Sequence, residues 1–189
     1  MPAEPEIPPR RAPRRDALRN DRLVVEAARA VFAEQGPRAS MEDIARRAGV
    51  GVGTIYRRFP GKEALLDAIA ELFVAELDRA ATEALAEEDA GRALDAFLEF
   101  VGTFNAEKRR YAAALVERVA EESTSAGILE KVGRLTRNAV AAGALAPGVR
   151  EADIAALLVA LREVVASSEG DEGWRRFLRI HLAGLRSTS

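Results

Sequence analysis

Between Pro60 and Pro147 the 189-residue chain has no proline, and only scattered glycines interrupt it. A stretch that long without a strong breaker can run as one helix after another. Its residues favour that outcome: Ala, Leu, Glu and Arg dominate a chain with 38 alanines and only three short clusters of β-branched residues. Apolar periodicity places helices near 16–35, 40–49, 53–59, 62–88, 91–105, 107–120, 123–143, 152–168 and 171–186, and nothing reads as a strand. Leu23, Val24, Ala27, Ala28, Val31 and Phe32 share a face of the first helix, and Gly36-Pro37 stops it. Leu65, Leu66, Ile69, Leu72, Phe73 and Leu77 form the stripe of the long fourth helix. The expected fold is therefore all-α, with about nine helices.

Five of the eight prolines fall within the first 13 residues, so residues 1–15 read as a disordered arm ending in Arg10, Arg11, Arg14 and Arg15. The formal net charge of −2 hides a partition. Residues 1–62 hold 13 basic and 8 acidic groups, a net of +5, while the rest of the chain is at −7. From Arg10 to Lys62 alone the net is +7. A basic end on an acidic remainder is the arrangement of a chain that meets a polyanion at one end. The absence of cysteine rules out disulfides, thiolate metal sites and a cysteine nucleophile, and one histidine rules out multi-histidine metal sites. With no Glu-x-x-His pair either, the composition argues against an enzyme and calls for no cofactor and no metal. The longest apolar run, Ile154 to Leu161, is far too short to span a bilayer, and no apolar segment follows the N-terminal arginines. The reading is a cytoplasmic protein with no membrane partner.

Ser40 to Phe59 reads SMEDIARRAGVGVGTIYRRF, two short helices joined by a turn that contains glycine. That is a helix-turn-helix. Ser40 with Asp43 three residues on makes a capping-box-like start, Ala45 is small where the helices cross, and Gly49 sits where φ must be positive. Ile44, Val50 and Ile55 close a small core against the first helix, with Met41 packed beside it. The second short helix then points its N-terminal end outwards. Gly51 and Gly53 let the backbone come close to a partner, and free N–H groups at the helix start attract phosphate. Thr54 can bond phosphate or a base edge, Tyr56 offers a hydroxyl on a rigid ring, and Arg57 and Arg58 can fork onto guanine or clamp phosphate. Lys62 adds a cation at the start of the next helix, and Ser40 can cap its helix and touch phosphate.

Residues 17–70 resemble the TetR family of transcriptional regulators. The likeness rests on Phe32-x-x-x-Gly36, Ser40, Ile44-Ala45, Ala48-Gly49-Val50, Gly53-Thr54-Ile55-Tyr56-x-x-Phe59 and Lys62-Glu63-x-Leu65-Leu66. It implies that Ser40, Thr54, Tyr56 and Lys62 hold phosphate, and that Val52, Gly53, Arg57 and Arg58 face the bases or the backbone beside them. Position 51, often Ser or Thr in that family, is Gly here, which removes one polar contact. Residues 16–62 are then the DNA-binding domain and 63–189 an effector-binding and dimerisation domain. The expected function is a repressor released from a pseudo-palindromic operator by a small molecule, the long helix from Lys62 transmitting the shift. An activator, a regulator without an effector, and a helical protein-binding adaptor stay open as alternatives.

In the acidic part, Phe97, Phe100, Phe104 and Tyr111 form an aromatic set that reads as core or as the wall of a ligand site, with Asn105, Arg109 and Arg118 as orienting polar groups. An apolar or amphipathic effector fits such a site. The helix around Ile154–Ala166 is apolar nearly all round and must be buried twice. With Trp174, Phe177, Leu178, His181, Leu182 and Leu185 on one face of the last helix, two helices from each of two copies would form a four-helix bundle, as the resemblance also implies. The residues assigned to that interface are Leu157, Leu158, Leu161, Val165, Trp174, Phe177, Leu178, His181 and Leu185, with His181 buried or interfacial.

Overall fold

The computed structural model describes residues 13–109 and 126–186 of the chain, and they form eight α-helices. α1 (Pro13–Gln35), α2 (Met41–Ala48) and α3 (Val52–Arg58) make the N-terminal unit, with a turn of 3-10 helix at Gly36–Arg38 after α1. α4 (Lys62–Leu85), α5 (Ala90–Lys108), α6 (Ala126–Ala141), α7 (Glu151–Ser167) and α8 (Glu172–Leu185) follow. An isolated antiparallel bridge between Leu145 and Arg186 is the β-type pairing found among them.

Local chemistry sets these boundaries. The Ser40 hydroxyl accepts the Asp43 N–H at 3.1 Å and so caps α2. Gly49 ends α2 at φ 68°, a left-handed conformation that costs glycine little. The Asp89 carboxylate accepts the Arg92 N–H at 2.9 Å and so caps α5, and α4 ends at Leu85 rather than Glu88. α1 is helical from Pro13, the first described residue, so Arg14 and Arg15 lie within the helix. The rest of the expected arm, and most of the helix expected at 107–120, lie outside the described residues.

α1, α2 and α3 close around Ala28, Val31, Phe32, Ile44, Ala45 and Ile55, with Met41 buried beside them. α4 packs on α1 through one part of its length and on α5 and α6 through another. α5 is central to the second unit and touches α4, α6, α7 and α8. α8 approaches it at Gly102, where Trp174 fills the space that a Cβ would occupy, 2.2 Å from the ring. Trp174 is 0% exposed as a result.

That packing corrects the interface assignment made from sequence. Leu157, Leu161, Val165, Trp174 and Leu178 are buried in the chain's own core. They cannot offer surface to a second copy without unfolding the first. Leu158, Phe177 and Leu185 are half-buried against the same core, and His181 is exposed rather than buried, its ring 3.9 Å from that of Phe177. A helical wheel shows that α7 has two apolar sides but not which one faces inwards, and the larger side chains took the core.

Candidate nucleic-acid interface

α3 turns nearly everything outwards. Ile55 is its buried residue, fixed under α1 and α2, while Val52, Gly53, Thr54, Tyr56, Arg57 and Arg58 are all exposed. Tyr56 is 46% exposed, which excludes a core role for that ring. The N-cap of α3 is Gly51 and that of α4 is Gly61, and no side chain caps either helix. The first N–H groups of α3 therefore have no capping side chain, and Lys62 is the first residue of α4. A Cβ on Gly53 or Gly61 would meet nothing within 4 Å, so the fold itself does not require glycine there. Open backbone of this kind lets a phosphate come close.

The positive charge of this unit is partly matched from within. Arg58 pairs with Asp21 of α1 at 2.7 Å, Arg47 with Glu34 at 2.6 Å, and Arg46 with Asp43. The Ser40 hydroxyl both caps α2 and donates to the Asp43 carboxylate at 2.6 Å. Ser40 is thus occupied by its own helix, and the Ser40 and Arg46 contacts hold the Asp43 carboxyl below its ordinary range. Arg57 makes no ion pair among the described residues, and neither do the exposed Arg22 and Arg38. Arg38, which the sequence reading did not single out, lies two residues before the α2 cap. Of the expected DNA contacts, Gly51, Val52, Gly53, Thr54, Tyr56, Arg57 and Lys62 are all exposed, whereas the Ser40 hydroxyl caps its own helix and Arg58 pairs with Asp21.

A cavity of about 300 Å³ lies in the second unit. Leu77 of α4, Phe97, Val101, Phe104, Asn105 and Lys108 of α5, Ile128, Leu129 and Val132 of α6, and Leu158, Val159 and Arg162 of α7 contribute to its wall. Phe97, Phe104 and Asn105 are where the sequence placed them. Phe100 is not: it stacks on Phe104 at 5.7 Å and lines a separate recess with Ala80 and Ala84. Arg109 is not a ligand group either. It donates to the carbonyls of Val165 and Ser168, both at 2.8 Å, and so closes the C-terminal end of α7. Tyr111 and Arg118 lie outside the described residues. The wall also holds what the sequence reading missed. Lys108 is 7% exposed, its ammonium 4.4 Å above the Phe104 ring. Burial, and then the neighbouring Arg162 charge, push its amine down to about 8. A cation–π contact of about 0.5–2 kcal/mol offsets only part of the several kcal/mol that burying an ammonium costs.

A helix-turn-helix with an exposed, uncapped second helix, joined to a helical domain with its own cavity, defines a DNA-binding regulator. A family model described as bacterial regulatory proteins, tetR family, matches residues 24–69, and one described as the C-terminal domain of SbtR-like transcriptional regulators matches residues 89–187. The solved structure of a TetR regulator from Streptomyces coelicolor is 31% identical, covers 89% of this chain and 99% of its own, and superposes with a TM-score of 0.70. A TetR regulatory protein from Mycobacterium vanbaalenii is 34% identical over 92% of this chain and 99% of its own, also at 0.70. An uncharacterized HTH-type regulator of Bacillus subtilis, YhgD, is 40% identical over 85 residues, 42% of this chain. That match spans 44% of the relative's own length. The chain belongs to the TetR family of DNA-binding transcriptional regulators.

Proposed function

We propose that two copies of this chain bind a pseudo-palindromic operator, one α3 in each of two successive major grooves, and that a small effector in the cavity releases them. The protein would then act as a repressor. The observation that carries this reading is the outward face of α3 set beside two uncapped helix starts. Thr54, Tyr56 and Lys62 hold phosphate and fix the register; Val52, Gly53 and Arg57 face the base edges. Arg58 orients α3 through Asp21 and lends the remainder of its charge to the duplex, and Ser40 contributes through the α2 start that it caps.

Two substitutions separate these roles. Arg57→Ala is expected to cost about 1–3 kcal/mol on the preferred duplex and far less on random duplex. Lys62→Ala should weaken both alike and reduce the slope of log K against log salt by about one. Equal losses on both duplexes for Arg57→Ala contradict its base-reading role. The preferred duplex comes from unbiased selection of bound sequences.

The surface left for the second copy is the outer side of α7 and α8. Ile180 is 56% exposed, Phe177 and His181 stack beside it, and a Cβ on Gly184 would meet nothing within 4 Å. Ala156, Ala160 and Val164 repeat along α7 at helical spacing. These residues replace the five core side chains as the interface of an isologous dimer. Ile180→Glu is expected to halve the mass seen by light scattering at micromolar concentration while leaving the helical content intact. A wild-type monomer under those conditions defeats the dimer reading.

A further inference from the structure

The cavity wall is apolar apart from Asn105, Lys108 and Arg162, and both charged groups among the described wall residues are positive. Lys108 is almost wholly buried and makes no ion pair among the described residues; its ammonium faces the Phe104 ring instead. Arg162 is half-buried, and its ion pair among the described residues is with its sequence neighbour Glu163, at 3.2 Å. Leu129 and Val159 are large, apolar and exposed, and both belong to the same wall. Among the described residues two things are wanting at once, a negative charge to face Lys108 and apolar surface to cover Leu129 and Val159. One kind of molecule supplies both.

We propose that the cavity between α4, α5, α6 and α7 is selective for amphipathic anions, with a carboxylate or phosphate monoester head received by Lys108 and Arg162 and an apolar tail lying against Phe97, Phe104 and Val132. This rests on the reading of the cavity as the effector site and names the chemical class of the effector. Asn105, on the same helix as Lys108, supplies an amide to the head group. Lys108 loses its proton near pH 8 without a ligand, whereas a bound anion favours the charged amine. Of the elements around it, α7 brings Arg162; α4 and α6 bring Leu77, Ile128, Leu129 and Val132, none of which titrates. Binding is therefore at full strength below pH 8 and falls as pH rises through it, by about tenfold from pH 7 to pH 9.

The test is calorimetry on the full chain with four probes of equal tail: decanoate, decyl phosphate, decanol and decyltrimethylammonium. The two anions are expected to bind roughly tenfold or more tightly than decanol, and the cation not at all. Lys108→Met keeps an unbranched apolar stem, so it should fold and bind decanol as the wild type does, while its affinity for both anions falls most of the way to the decanol level. Arg162→Met should show a smaller drop in the same direction. Equal binding of decanol and decanoate, an unchanged decanoate affinity in Lys108→Met, or no binding by any probe overturns the inference. Release of bound duplex is scored separately. Should decanol and decanoate bind alike and both release DNA, the effector reading stands and anion selection falls. Should decanoate bind through Lys108 and leave the duplex bound, anion selection stands and the effector reading falls.

Discussion

Gly102→Ala is expected to destabilise the protein by about 1–3 kcal/mol, and to cost almost nothing once Trp174 has been replaced by alanine. A Cβ at position 102 falls 2.2 Å from Cζ3, 2.5 Å from Cε3 and 2.8 Å from Cη2 of the Trp174 indole. The ring has nowhere to go, because it is fully buried between α5 and its own helix. Its indole N–H also points to the Asp171 carboxylate, at 3.3 Å. Alanine gains up to about 1 kcal/mol over glycine in helix propensity, so the measured loss is what remains after that gain. Trp174→Ala alone should cost about 3–5 kcal/mol, the range for emptying a buried aromatic site. In the double variant the methyl added at position 102 enters the space left by the ring, the clash is absent, and the propensity gain remains. Denaturant unfolding of all four proteins gives the coupling directly. Losses that simply add would show that Gly102 is not there for the indole.

The same pair shows what could be read from the chain and what could not. Helix boundaries were legible wherever a breaker or a cap was local: Gly36, Ser40, Gly49, Gly61 and Asp89 each act on residues within a turn of themselves. The helix-turn-helix was legible for the same reason, since Ile44, Ala45, Gly49 and Ile55 meet within sixteen positions of Ser40. Long-range partners were not. Gly102 reads as a tolerated helical glycine until Trp174, seventy-two positions later, is laid across it. Arg109 reads as a ligand group until the end of α7 arrives to accept its hydrogen bonds. Lys108 is of a residue type almost always exposed, so no pattern on α5 announces its burial. The interface failed for a related reason: α7 and α8 have more apolar surface than one core needs, and periodicity ranks residues by face without saying which face is inside. Charge partition pointed to the correct end of the chain but overstated it, because Asp21, Glu34 and Asp43 hold three of its arginines.

Arg29→Met is expected to leave both DNA and effector binding in place while largely abolishing the effect of one on the other. Arg29 stands on α1, and its side chain is 15% exposed. Its guanidinium donates to Glu76 of α4 at 2.8 Å and to Glu107 of α5 at 2.7 Å, and lies 4.5 Å over the Phe73 ring. Phe73 meets Phe104 edge-on at 5.1 Å, and Phe104 carries the Lys108 ammonium on its face. Four side chains thus join the DNA-binding unit to the cavity wall, and Glu107 and Lys108 are adjacent on the last turn of α5. In the proposed mechanism a head group that drew Lys108 away from Phe104 would move that turn, and Glu107 with it. Arg29 would then follow Glu107 or stay with Glu76, and either choice would shift α1 relative to α4. In the wild type the effector should lower duplex affinity by about 5–150-fold, or 1–3 kcal/mol of coupling. With methionine at position 29 the carboxylates lose their shared cation, stability falls by about 1–3 kcal/mol, and the coupling ratio approaches one. Effector affinity itself should stay within about threefold, because Arg29 is not part of the cavity wall. The measurement is duplex affinity with and without saturating effector, and effector affinity with and without duplex, which must give the same ratio. A variant that folds, binds both ligands and keeps the wild-type ratio would show that the signal reaches α3 by another route, with the length of α4 as the remaining candidate.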